Sequence, residues 1–263
     1  MHKTRVIKST LGCPQKNRTE SEDYGGVQTY MDMKDGSLIA VQPNKDDLMS
    51  RVLSPNNLNR AYLQVVRNKG VGGVDKMDCK QLLTYLRQHK AELIESIRIG
   101  KYKPNPVRRV EIPKDNGKKR LLGIPTVVDR LIQQAISQVL SPIYERQFSQ
   151  SNFGFRPNRS AHGALLQVCR YASEGYKYAV GIDLARFFDT VNHSFLLRIL
   201  SRTIKDRRII SLIHKYLTSG VMIGKHYELS IEGTPQGGPL SPLLSNIMLN
   251  ELDKELERRW HRF

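Results

Sequence analysis

The segment "TVVDRLIQQAISQVLSPIYE" constrains the fold most, because its apolar residues recur at intervals of three and four. This spacing places them on one face of a helix. The apolar stripe comprises Val128, Leu131, Ile132, Ala135, Ile136 and Val139. Thr126 and Asp129 have the spacing of a capping pair at the start of that helix. The sequence therefore predicts an amphipathic helix whose stripe lies in the core.

Several other segments have helical or extended patterns. Helical spacing occurs in "DLMSRVLSPNNLNRAYLQVVRNKG", "CKQLLTYLRQHKAELIESIRIGKY", "HSFLLRILSRTI", "RRIISLIHKYLTSG" and "SPLLSNIMLNELDKELERR", the last with Ser241 as predicted N-cap. "VRRVEIPKDNGKKRLLGIP" and "VMIGKHYELSIEGTPQGG" predict hairpins, and "YKYAVGIDLARFF" a strand. Residues 1–45 lack apolar periodicity and are predicted to be a disordered tail. Without a regular βαβ alternation, we expect an α+β fold of helices packed on short antiparallel strands.

The charge balance points to a polyanionic partner. Lys and Arg number 42 against 25 Asp and Glu, a net charge of +17, which most often indicates nucleic acid. The alternative is a basic surface without a partner. Cys13, Cys79 and Cys169 form no C-x-x-C pair, so neither a zinc site nor a disulfide framework is indicated. Three free thiols indicate a reducing cytoplasm. No signal peptide or membrane-spanning run is present in the sequence, so no membrane partner is expected.

Asp183 lies in the apolar stretch "GIDLARFFDT", where a carboxylate is costly unless a cation holds it. In an extended chain the odd-numbered side chains share a face. Asp183, Ala185 and Phe187 would then make a metal site beside a flat surface. The alternative is an Asp that caps a turn or pairs with Arg186.

The hairpin tip "IPKDNGKKRLLGIP" allows two registers. A two-residue turn at 116–117 puts Lys114 and Arg120 on opposite faces. A three-residue loop at 115–117, with its glycine left-handed, pairs Lys114 with Lys118. Lys114, Lys118 and Arg120 then form a cationic pad suited to a triphosphate. The alternative function for the tip is a solubilising one.

The glycine-rich stretch "TPQGGPLSP" is a third candidate. Gly237 and Gly238 would let the backbone approach a ligand closely. Gln236 offers an amide donor and an acceptor. The alternative is an ordinary loop before a helix.

Together these segments resemble the reverse transcriptases, or maturases, that bacterial group II introns encode. The resemblance rests on "NLNRAYLQVVRNKGVGGVDKM", "RRVEIPKDNGKKRLLGIPTVVDRLIQQA", "SNFGFRPNRSAHGAL", "DLARFFDTVNH" and "GTPQGGPLSPLLSNIMLNELDKELERR", in the family's order from about residue 47 to the end. It implies a right-hand polymerase with fingers and an incomplete palm. The implied divisions are a tail (1–45), an N-terminal extension (46–100), fingers (101–178) and a partial palm (179–263).

The resemblance also implies an RNA-directed DNA polymerase that uses two Mg²⁺ ions. Asp183 matches the first metal-binding carboxylate, with the Leu184 carbonyl as a second ligand. Phe187 matches the aromatic residue that stacks near the sugar and discriminates against a 2′-hydroxyl. Ala185-Arg186 departs from the polar pair expected after Asp-Leu, which affects the local geometry.

Four further positions match residues that contact substrates. Lys114 and Arg120 match cations that grip the triphosphate, and Gln236 lies in the dNTP-pocket loop. Arg156 matches a template-binding turn. The implied partners are dNTP, an RNA template with a DNA primer, and group II intron RNA, and a dimer is left open. His162, predicted in the turn before a helix, and His193, predicted at a helix start, are interpreted as structural.

The family's remaining metal ligands belong to a Tyr-Ala-Asp-Asp motif that is expected after "LDKELERR" and does not occur in this sequence. We therefore expect a truncated or split reverse transcriptase that is inactive alone. One alternative is an RNA-binding maturase that assists splicing without polymerase activity. A related reverse transcriptase of a retron or a diversity-generating element is another, but "GVGGVDKM" favours the intron type.

The charge of +17 predicts binding of structured RNA with a strong dependence on salt. Each phosphate that the protein neutralises should contribute about −0.7 to −0.9 to the slope of log K against log salt concentration. Filter binding between low and physiological salt measures this slope. A slope of zero would contradict the prediction.

Overall fold

The computed structural model describes residues 30–34, 37–41, 47–113, 117 and 119–263. Its helices are α1 (Leu48–Val52), α2 (Pro55–Arg67), α3 (Leu82–Arg98), α4 (Val127–Glu145), α5 (Ala161–Ser173), α6 (His193–Thr203), α7 (Arg207–Leu217) and α8 (Ser241–Arg258). Its strands are β1 (Tyr30–Lys34), β2 (Ser37–Val41), β3 (Val107–Pro113), β4 (Lys119–Ile124), β5 (Val221–Ile223) and β6 (His226–Glu228). A single 3-10 turn covers Phe187–Asp189.

The predicted central helix is confirmed as α4. All six residues of its apolar stripe are buried and belong to the main hydrophobic core. Helices α1, α2 and α8 all pack against α4. The Asn57 side chain of α2 also donates a hydrogen bond of 2.9 Å to the Ala135 carbonyl, which fixes α2 along α4. The free energy of burying this helix holds the N-terminal and C-terminal parts of the described chain together.

The capping pair is confirmed, and the Asp129 side chain bonds the Thr126 hydroxyl. The Thr126 hydroxyl accepts a hydrogen bond of 3.1 Å from the Asp129 amide and donates one of 2.6 Å to the Asp129 carboxylate. The carboxylate also accepts hydrogen bonds from the Tyr102 hydroxyl (2.6 Å) and the Asn105 amide (3.2 Å). Asp129 is only 1% exposed, so these donors replace the water that a buried carboxylate loses.

The hairpin β3–β4 has the three-residue register. Ile112 pairs with Arg120 and Pro113 with Lys119, whereas a two-residue turn would place Ile112 opposite Leu121. Gly117 has a φ of +74°, the left-handed conformation that the three-residue loop requires. Lys114 and Lys118 lie outside the described residues, so the cationic pad stays a prediction.

The sheet around this hairpin is mixed. Its strand order is β4-β3-β5-β6, in which β3 pairs with β4 and β5 with β6 antiparallel, while β3 and β5 are parallel. The α+β class and both predicted hairpins are confirmed. The expectation of purely antiparallel strands is wrong at β3–β5, because the connection from β3 to β5 passes through helices and not through a short turn.

Three local predictions need correction. The first predicted helix is divided into α1 and α2, because Ser54 caps a new helix whose first residue is Pro55. Helix α8 begins at Ser241 itself, with Leu240 as N-cap, because the Ser241 hydroxyl donates to the Pro235 carbonyl at 2.7 Å. In the predicted tail, 30–34 and 37–41 are paired strands. The rest of 1–45 lies outside the described residues.

We expect Thr126→Val to lower the free energy of unfolding by about 2 kcal/mol, because it removes the cap of α4 and one donor to buried Asp129. Urea denaturation measures this loss. Ser160→Ala is the matched control, since Ser160 caps α5, a helix with no buried residue, and should cost only about 0.5–1 kcal/mol. Equal losses for the two variants would mean that Asp129 does not depend on the Thr126 hydroxyl.

Candidate active site

The glycine-rich loop 233–238 joins parts of the chain that are distant in sequence. The Gly123 amide of β4 donates to the Gln236 carbonyl at 2.8 Å. At the other end of the loop, the Thr234 amide donates to the Phe188 carbonyl at 2.6 Å and the Gly233 amide to the Val191 carbonyl at 2.8 Å. The loop therefore connects the β3–β4 hairpin to the segment that follows Asp183.

The need for glycine in this loop comes from the protein's own backbone. Gly237 has a φ of +134°, and a Cβ atom there would lie 2.6 Å from the Gly123 carbonyl oxygen. A side chain at position 237 would thus push the loop away from β4. The glycines allow a close approach, as predicted, but the partner in this structure is β4.

Two predicted nucleotide-binding residues meet at this junction. The Arg120 Nε donates a hydrogen bond of 3.1 Å to the Gln236 side-chain oxygen. Arg120 is exposed on β4, and Gln236 is half-buried. The guanidinium thus lies at the junction with its remaining donors available to a ligand.

The predicted strand around Asp183 is wrong. Residues 176–186 belong to no strand, and all are exposed, Tyr178 at 95%. Within the described residues no neighbouring strand pairs with this segment, and a strand without a partner leaves its backbone groups unbonded. Arg186 is left-handed at a φ of +50°, which breaks the alternation. Asp183 and Phe187 therefore do not share one face of a strand.

The individual residues of this segment differ in their surroundings. Asp183 is exposed, and neither alternative interpretation holds, because it caps no described helix and forms no ion pair with Arg186 or any other described residue. Leu184 is 45% exposed. Phe187 begins the 3-10 turn, packs partly on the core and contacts Phe188 edge-on at 5.7 Å between ring centroids. The ring is thus anchored, while the carboxylate is open to solvent.

The described residues do not form a complete metal site. No group of three or more His, Cys, Asp or Glu side chains lies within ligating distance of one another in the parts of the chain described. Mg²⁺ prefers six oxygen ligands and releases its waters reluctantly. Asp183 and a carbonyl do not fit the two-ion arrangement by themselves.

Arg156 is buried, with its side chain only 2% exposed. Its guanidinium binds the Glu145 carboxylate through Nε (3.0 Å) and Nη2 (2.7 Å). Nη1 donates to the Ser149 and Asn152 carbonyls, the latter at 2.8 Å. All three nitrogens of the guanidinium thus donate hydrogen bonds to oxygens of the protein. Sequence reasoning missed Glu145, which has no local signature because it lies 11 residues away on another element.

The two histidines behave differently. His193 is buried at the start of α6, as predicted, and its Nε2 lies 2.6 Å from the Gly233 carbonyl oxygen, so it supports the glycine-rich loop. His162 lies in the first turn of α5 and is exposed. The prediction that His162 precedes the helix is wrong by one turn, because Ser160 accepts from the Gly163 amide and starts α5 earlier.

Comparisons with known proteins identify the class. Residues 112–263 match the family model of reverse transcriptase (RNA-dependent DNA polymerase). The chain therefore belongs to the reverse transcriptase family. A solved structure, the partial Cas6-RT-Cas1–Cas2 complex, covers 80% of this chain and 35% of its own with a TM-score of 0.53 and 23% identity. That likeness supports the fold alone.

Among curated proteins, the chain is similar to intron proteins. It is 39% identical over 218 residues to the group II intron-encoded protein LtrA of Lactococcus lactis subsp. cremoris, and covers 36% of it. It is 38% identical over 219 residues to protein YkfC of Escherichia coli K12, and covers 58% of it. Each match involves 81% of this chain. The chain thus spans 36% and 58% of the length of these two relatives.

The matches extend to organelle proteins. The nuclear intron maturase 2 of Arabidopsis thaliana mitochondria is 30% identical over an alignment of 171 residues, and the match covers 50% of this chain and 23% of that protein.

Among the described residues, none of the helices has both the length and the apolar character needed to cross a bilayer.

We expect Arg156→Met to lower the free energy of unfolding by about 2–3 kcal/mol. A fully buried pair costs about 3–5 kcal/mol when one partner is removed, but Glu145 keeps some access to water. Arg202→Met is the control, because the Arg202 side chain is 56% exposed in its pair with Glu251, and this pair should contribute at most about 1 kcal/mol. Chemical denaturation that gave both variants the same loss would contradict a supporting role for Arg156.

Proposed function

We propose that this chain is part of a group II intron-type reverse transcriptase, an RNA-directed DNA polymerase. The proposed divisions are an N-terminal extension (46–100), fingers (101–178) and a partial palm (179–263), after a tail of residues 1–45. In the reaction, the 3′-oxygen of a DNA primer attacks the α-phosphorus of a dNTP and pyrophosphate leaves. The unpaired thiols of Cys79 and Cys169 agree with the cytoplasm as the compartment.

The contact between Arg120 and Gln236 is the observation that carries this proposal. It joins a fingers cation to the palm loop, and the same loop is bonded to the residues that follow Phe187. A triphosphate between the hairpin and the loop would lie beside Arg120, near the Phe187 ring. Lys114, which lies outside the described residues, is proposed as the second cation that grips the triphosphate.

Asp183 is proposed as the first Mg²⁺ ligand, with the Leu184 carbonyl beside it. Mg²⁺ would stabilise the charge that develops on the transferring phosphoryl group. The described residues offer too few ligands for two ions, so further carboxylates are needed to complete the site. Arg156 is proposed to support the template-binding turn from inside.

A second candidate is an RNA-binding maturase without polymerase activity. The net charge of +17 and the similarity to a nuclear intron maturase favour this function as well. Both candidates share group II intron RNA as a partner. They differ in whether Asp183 is needed.

Primer extension on an RNA template tests the proposal. Residues 1–263 alone should give no extension with Mg²⁺ or Mn²⁺, because one carboxylate does not hold two ions. A chimera that carries, after Phe263, the part of LtrA that follows its matched region should extend the primer. In that chimera Asp183→Asn should reduce extension to background, whereas Glu228→Gln, which removes the same charge from exposed β6, should leave it unchanged.

Extension by the chimera with Asn at position 183 would overturn the role proposed for Asp183. Extension by residues 1–263 alone would overturn the proposal that further carboxylates are needed. A chimera that binds intron RNA tightly but does not extend a primer with Asp183 intact would favour the maturase.

A further inference from the structure

Phe155 combines two unfavourable features. Its backbone is left-handed at a φ of +51°, a conformation in which bulky residues are genuine outliers. Its ring is 74% exposed, so no packing inside the protein offsets the strain. Strain of this kind persists only where the surroundings impose it, and it is concentrated at functional sites.

The residues on both sides of Phe155 hold its backbone in the left-handed conformation. Arg156 anchors the next residue through its bonds to Glu145, Ser149 and Asn152. On the other side, the Asn246 side chain of α8 donates to the Gly154 carbonyl at 2.7 Å. The backbone on both sides of Phe155 is therefore held, and the ring between these anchors is directed to solvent.

Trp260 provides a useful comparison within the chain. It is also left-handed, at a φ of +62°, and 91% exposed. Its conformation has a local cause, because it follows the C-cap of α8, where left-handed residues commonly end a helix. Phe155 ends no helix among the described residues, so its conformation lacks this explanation.

We propose that Phe155 is a stacking platform for an unpaired base of single-stranded RNA. Aromatic rings stack on bases without regard to sequence, and a ring carried by a fixed backbone loses less entropy on binding than one on a mobile loop. The net charge of +17 favours RNA over an apolar protein partner. This inference rests on the proposed function, and it assigns the contact with RNA to Phe155 and the support of that contact to buried Arg156.

Binding of a labelled single-stranded RNA of about 12 nucleotides to the 263-residue chain tests the proposal. Phe155→Gly should weaken binding about 5- to 100-fold, the range for loss of one stacked base. The slope of log K against log salt should not change, because no phosphate contact is lost. The same variant should raise the thermal midpoint by about 2–4 °C, because glycine relieves the left-handed strain.

Three controls separate stacking from other effects. Phe155→Tyr keeps the ring and should bind RNA like the parent chain. Trp260→Gly should also raise the thermal midpoint but leave RNA affinity unchanged. A fully paired RNA duplex of the same length offers no free base, so its affinity should be the same for all these chains.

Several outcomes would overturn the inference. Parent-like binding of single-stranded RNA by Phe155→Gly would assign the exposed ring to another partner, such as a protein. Equal weakening toward single-stranded and duplex RNA would indicate a general change in the surface. If the parent chain binds neither RNA, both this inference and the proposed function fail. If the parent chain and Phe155→Gly bind single-stranded RNA equally well, only the inference about Phe155 fails.

Discussion

The buried carboxylate of Asp129 is the interaction on which the arrangement of the described chain depends. It receives hydrogen bonds from Thr126, Tyr102 and the Asn105 amide. Burial raises the pKa of Asp129, and these hydrogen bonds oppose that shift. A carboxylate in such a place costs stability unless every donor stays in position. The segment that enters β3 is thereby fixed against the start of α4, and with it the direction of the β3–β4 hairpin.

The site is built on this frame by a second constraint, the close approach of loop 233–238 to β4. The Gly123 amide donates to the Gln236 carbonyl, and the Gly123 carbonyl oxygen lies too close to Gly237 for a side chain at position 237. Buried His193 holds the other end of the loop through the Gly233 carbonyl. Because both ends are bonded, a displacement of the hairpin would be transmitted through the loop toward Phe187. Arg120, Gln236 and Phe187 are thus parts of one connected unit, although they lie far apart in sequence.

Sequence reasoning succeeded where one local rule decided the outcome. The stripe of α4 follows from helical periodicity. For β3–β4 the local turn rules left two registers, and the strand pairing decides for the three-residue loop. Sequence reasoning failed where a distant partner decided. The exposed state of residues 176–186 depends on whether another strand pairs with them, which no local pattern contains. The burial of Arg156 depends on Glu145 of another element, and a guanidinium in a basic chain gives no sign that it faces inward.

Two departures from the local rules lie at positions that the proposals use. The apolar stretch that carries Asp183 lies open to water, and an aromatic residue in a left-handed conformation faces solvent beside a buried arginine. Folding alone does not favour either feature, because the burial of apolar surface stabilises a protein and a left-handed backbone is adopted without strain by glycine. The nearby core of α4 and α8 is well packed and makes these costs tolerable. Such departures from local consistency are expected where a chain interacts with something outside itself. At Arg156 the positive charge serves the turn from within, so in this motif the cation provides rigidity and its exposed neighbour provides the surface for contact.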